Sequence, residues 1–202
     1  MQKSKLSLTL FLLLVVRIFL AQVTTICLPN NTVNAIPTNS IVVQQTESRK
    51  PLGSYFGYER TALIFSQSEI GLLGQVTAIA VFCDSTNNPG NTPLNIYVKE
   101  VADSAFLAQT TIAAETAGAT LVYTGTLTAS TFIKSTWVNI PFTTPFIHAT
   151  SKPLEFIFET NAGGSGSDPV NGKFFTHYQP TLSYYTTQYW NTDNAPDRKS
   201  VV

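Results

Sequence analysis

Apolar and polar residues alternate with a period of two through much of this chain, which predicts strands with one buried and one solvated face. Leu154, Phe156 and Phe158 alternate with Glu155, Ile157 and Glu159, and the glutamates read as the solvated side of that strand. Leu94, Ile96 and Val98 alternate in the same way with Asn95 and Tyr97. Two denser runs, Ala62 to Phe65 and Val76 to Phe82, read as strands, and the second, apolar on both faces, as a central one. In the second run Val76, Ala78, Ala80 and Phe82 share one face, opposite Thr77, Ile79, Val81 and Cys83. Between the runs, Ser66-Gln-Ser-Glu69 has the spacing of a capping box, predicting a helical turn that Gly71 or Gly74 ends.

Shorter signals fill the rest. Leu121 to Tyr123 reads as a strand broken by Gly125, and Thr126 to Phe132 as a short strand. Trp137 to Ile140 is a strand ending at Pro141, and Phe142-Thr-Thr-Pro-Phe146 an extended aromatic crossing whose prolines suit an edge. Lys173 to Tyr178 and Leu182 to Trp190 are aromatic strands on either side of Pro180. Ala102 to Ala119 holds helix formers without a 3.6 period and reads as a loop with one short turn. The sum is roughly nine or ten short strands separated by turn signals, which predicts an all-β, mostly antiparallel β-sandwich with one core. Val76, Ala78, Ala80, Phe82, Ile96, Leu154, Phe156 and Phe158 are expected to be buried.

The two ends break the pattern. Lys3 and Lys5 precede a short apolar run from Leu6 to Ala21, so residues 1–21 read as a cleaved signal peptide with no transmembrane span left in the mature chain. Residues 22–50, with Pro29, Pro37 and many Asn and Thr, read as a flexible lead-in that carries an edge strand at Ile41 to Gln45. Residues 51–196 form the sandwich module. Asp197-Arg-Lys-Ser-Val-Val202 back-translates to a common short-read sequencing adapter. Residues 197–202 are therefore expected to be an artefact, with the gene running on past Pro196.

Export changes the charge. The chain has 12 basic and 12 acidic residues, and loss of Lys3, Lys5 and Arg17 leaves an acidic excess. Nucleic acid and anionic membranes are therefore not expected partners. Charges are sparse and Thr, Ser, Asn and Gln plentiful, as in extracellular β proteins. Cys27 and Cys83 are able to pair in an oxidising compartment, but the favoured reading leaves both unpaired, because Cys27 lies in the lead-in.

No residue set makes a convincing catalytic centre, so no enzyme is expected. The two histidines, His148 and His177, lack a nucleophile elbow or oxyanion loop, and zinc lacks ligands at sensible spacing. No cofactor is expected except calcium, for which Asp84 with Asn87 and Asn88, or Asp168 with Asn171, offer loop oxygens; the same residues are ordinary turn formers. Tyr178, Tyr184, Tyr185, Tyr189 and Trp190 crowd one region, where aromatic faces would stack on a glycan or fill the core. Tyr185 and Tyr189 share one parity and Tyr184 and Trp190 the other, so one pair should point inward.

Leu63-Ile-Phe-Ser-Gln-Ser-Glu-Ile70, then Gly74-Gln-Val-Thr-Ala-Ile-Ala-Val-Phe82, resembles a recurrent module of secreted Bacteroidetes proteins. Leu94-Asn-Ile-Tyr97, Val122-Tyr-Thr-Gly125, Trp137-Val-Asn-Ile-Pro-Phe142, Pro145-Phe146 and Leu154-Glu-Phe-Ile157 follow in the same order. The resemblance covers about Pro51 to Pro196 and implies a jelly-roll-like sandwich in long cell-surface or released proteins, often type IX secretion cargo. It implies no catalytic residues. The expected function is a non-catalytic module for adhesion or spacing, with another surface protein or a glycan as partner. The alternative is a carbohydrate-binding module attached to a secreted enzyme.

Overall fold

A computed structural model describes residues 23–28, 45–48, 50–53, 56–71, 73–83, 91–108, 110–161, 174–177 and 186–192. Residues 1–21, read as a signal peptide, and residues 197–202 lie outside this set. Among the described residues are ten strands: β1 (Val23–Leu28), β2 (Gln45–Ser48), β3 (Tyr58–Phe65), β4 (Gly74–Cys83), β5 (Thr92–Glu100), β6 (Thr120–Leu127), β7 (Thr136–His148), β8 (Leu154–Asn161), β9 (Phe174–His177) and β10 (Thr187–Thr192). They form two five-stranded sheets. The second sheet, in the order β10-β3-β8-β5-β6, is antiparallel throughout. The first runs β1-β4-β9-β2 with β7 also on β4, and its β1–β4 pair is parallel.

Residues 22–50, read as flexible, contribute two strands: β1 lies along β4 and β2 along β9. Of the edge strand expected at Ile41 to Gln45, only Gln45 lies within the described residues, where it begins β2. Cys27 stands opposite Ala80 in β1, and Cys83 is buried at the end of β4.

One apolar cluster draws on both sheets. Leu63 and Phe65 of β3, Ile96 and Val98 of β5, and Phe156 and Phe158 of β8 pack with Ile79 and Val81 of β4 and Val138 and Ile140 of β7. Phe65 and Phe156 meet edge to face, with centroids 5.6 Å apart. All eight residues expected to be buried are buried.

The faces of β4 differ from the simple alternation. Register shifts between Val76 and Ala78, against β1 and against β7, leave Thr77 unmatched. A bulge advances the phase by one residue. Val76 therefore joins Ile79, Val81 and Cys83 in the core, while Ala78, Ala80 and Phe82 are buried on the opposite side.

Across from Thr77, β7 leaves its partner for four residues, Phe142 to Pro145. Phe142 and Phe146 pack on the core, and the Thr143 hydroxyl donates to the Val122 carbonyl of β6 at 3.0 Å. The predicted aromatic crossing thus ties one sheet to the other. Thr143→Val is expected to lower stability by about 1 kcal/mol, read from the urea midpoint; an unchanged midpoint would show that water replaces the bond without loss.

Local signals held in one turn and failed in two others. The backbone N–H of Ser66 donates to Glu69 Oε2 at 2.7 Å, and Gly71 closes the helical turn Gln67–Ile70 at φ 69°. Gly125 does not break β6. A Cβ there would meet the Tyr123 hydroxyl at 2.7 Å, so the glycine makes room for a ring that packs on the core. The stretch after Leu127 is a 3-10 turn, Ala129–Thr131, not a strand.

Candidate functional site

Pairing in the second sheet places Gln188 and Trp190 of β10, Arg60, Ala62 and Ile64 of β3, Glu155, Ile157 and Glu159 of β8, and Asn95, Tyr97 and Lys99 of β5 on one face, away from the shared core. That face is not simply solvated. Ala62, Ile157 and Trp190 form a second buried cluster, covered by Phe106 and Ala119 of the β5–β6 connection. Thr111 caps the helical turn Ile112–Thr116 by accepting from Ala114 N at 3.2 Å, and this turn carries Glu115 back onto the sheet.

Beneath the connection lies a polar cluster. Glu115 and Glu155 each expose 2 % of their side chains and Lys99 exposes 16 %. Lys99 stands directly opposite Glu155 in the β5–β8 pair. Its Nζ lies 3.1 Å from Glu155 Oε2 and 3.5 Å from Glu115 Oε1, and it also donates to the Glu115 carbonyl. Glu115 Oε2 accepts from Thr110 Oγ1 and from Gln188 Nε2, the latter at 2.7 Å. Burial pushes Glu155 up to about 9, with a hydrogen bond donated to Glu115 and the charge of Glu115 adding to the rise and Lys99 opposing it. Two acids thus share one cation, and at neutral pH Glu155 holds its proton.

The solvated reading of the β8 glutamates is therefore corrected. Glu155 is buried because the β5–β6 connection folds over it, and Glu159 is half-buried and paired with Arg60. Sequence reasoning missed this cluster, because Glu115 and Lys99 meet Glu155 only through register and the excursion between Glu100 and Thr120, and no local pattern encodes either. The available signal was the apolar content of the connection, Phe106 with Ile112, Ala113, Ala114 and Ala119, too great for a loop that lies free in water.

The proposed aromatic platform is only partly described. Trp190 is 3 % exposed, and its Nε1 donates to the Thr110 carbonyl at 3.2 Å, so its ring face is closed to a sugar. Trp190 turns toward the covering connection rather than the main core. Tyr189 points to the other face and is half-buried, its ring centroid 5.2 Å from Lys50 Nζ. The structure does not bring these two rings onto one surface. Tyr178, Tyr184 and Tyr185 lie outside the described residues, as do Asp84, Asn87, Asn88, Asp168 and Asn171. His148 is buried, with Nε2 2.9 Å from the Lys152 carbonyl. Among the described residues no group of three or more His, Cys, Asp or Glu is placed to hold a metal, and no helix is long and apolar enough to cross a membrane. Comparison with protein-family models, curated proteins and solved structures found no match to this chain.

Proposed function

We propose that the chain is an exported, non-catalytic module of a larger secreted or cell-surface protein, folded as a jelly-roll-like β-sandwich and used for adhesion or spacing. The sandwich reading is supported by the single core that both sheets line. The observation that carries the functional reading is the chemistry of the exposed strands. Thr120, Thr126 and Thr144 face water along β6 and β7, so this border presents hydroxyls in place of charge. Such a surface forms hydrogen bonds to a protein or a glycan without strong salt dependence. The charged groups around β3, β5 and β8 are meanwhile held in structural pairs.

The test is location. Intact source cells treated with external protease are expected to lose the protein from their surface, or to have released it into the medium. Recovery only from the protected interior would reject the export reading. On a glycan array the described aromatics predict no binding. A specific glycan hit lost on Tyr184→Ala with Tyr185→Ala would favour the carbohydrate-binding alternative.

A further inference from the structure

We propose that Lys99 and Glu155 join covalently, forming an amide between Nζ and Cδ that staples β5 to β8, with Glu115 as the proton carrier. The geometry supplies each requirement. The amine and the carboxyl are in contact at 3.1 Å on directly opposed residues of two central strands, so the folded chain holds the reacting groups together as no dilute pair could be held. Glu115 offers a second carboxyl beside both. Its Oε2 is occupied by Thr110 and Gln188, which leaves Oε1, 3.5 Å from Nζ, to exchange protons. The covering turn and the Trp190 cluster keep bulk water from the site. Burial also keeps Glu155 protonated, and a neutral acid has a far better leaving group than a carboxylate.

The step balances without a co-reactant. The site starts with an ammonium on Lys99, a carboxylate on Glu115 and a neutral acid on Glu155. Glu115 takes one proton from Nζ, and the freed lone pair attacks Glu155 Cδ. As the tetrahedral species collapses, Glu115 gives that proton to the departing hydroxyl, which leaves as water. It then takes the second amine proton and ends as a neutral acid. One C–N bond forms, one C–O bond breaks, and nothing is oxidised or reduced. The site carries no net charge before the reaction and no ion after it, so the reaction strands no buried charge.

Intact-mass measurement of the full chain, with its N-terminal residue fixed by peptide mapping, tests this directly. The wild-type chain is expected to be lighter than its sequence by one water, and its tryptic digest to contain one branched peptide joining Lys99 to Glu155. Lys99→Arg, which keeps the charge, and Glu115→Gln, which keeps the shape, are both expected to show their full masses with an unchanged β-sheet circular dichroism spectrum. A wild-type chain at full mass overturns the proposal, as does a deficit that persists in Lys99→Arg. A deficit that persists in Glu115→Gln overturns the role given to Glu115. This inference does not depend on the export reading, and its outcome leaves that reading untouched.

Discussion

Lys50→Met is expected to destabilise the chain by about 3–5 kcal/mol, far more than loss of an exposed charge. Lys50 and Glu59 are both buried, at 5 % and 3 % exposure, and paired with each other. Glu59 also accepts the Phe56 N–H at 3.1 Å. Removing the lysine leaves a carboxylate in a site built for a cation, beside the Tyr189 ring that now faces Lys50 Nζ. The pair itself need not be stabilising, since two charges lose their hydration to form it. Lys50→Met with Glu59→Leu is therefore expected to recover most of the loss. Urea midpoints of the two variants and the wild type give the comparison. A single variant within about 1 kcal/mol of wild type would mean that water reaches Glu59 and that the pair behaves as a surface bridge.

Lys50 also shows where the sequence was legible and where it was not. It ends a segment that composition marks as loop, and composition is a statement about residues in water. The pairing of β1 with β4 and of β2 with β9 depends on chain partners far away, which no local window contains. Alternation found β5 and β8 and their inward residues, because a strand with one face in the core must write that face every second residue. It found the outward residues of β8 as well, but not their surroundings. Whether Glu155 meets water or a covering turn is decided by where the β5–β6 connection lies. The bulge at Thr77 was hidden for a related reason: β4 is apolar on both faces, so a change of phase leaves no mark in the pattern. Ser66 and Glu69 were legible because a cap is a local device whose partners lie three residues apart. Trp190 was flagged as chemistry and is buried, since an aromatic beside a strand serves packing and binding equally well.

The polar cluster yields the second large effect. In Lys99→Arg, where no amide can close, Glu155 remains a titrating carboxyl, and the stability of the variant is expected to fall steadily as the pH rises from 5 to 9. The sign follows from the direction of the shift. Burial, together with Glu115, raises the group from the ordinary 4.5 of a glutamate to about 9 in the folded chain. Between those values the folded state holds a proton that the unfolded state has released. Its contribution is fully present below about 4.5 and is lost as the pH climbs through the folded value, at up to about 1.4 kcal/mol per pH unit. A fall of about 4 kcal/mol at most between pH 5 and pH 8 is the expected size, the opposing cation being already counted in the folded value. Glu155→Gln placed on Lys99→Arg removes the titrating group and should flatten the profile, gaining most at the alkaline end. Urea midpoints at pH 5, 7 and 9 separate the cases. A flat profile for Lys99→Arg would show that water enters beneath the β5–β6 connection and solvates Glu155. If the wild-type chain is flat while Lys99→Arg slopes, the simplest account is that in the wild type the carboxyl has already been consumed.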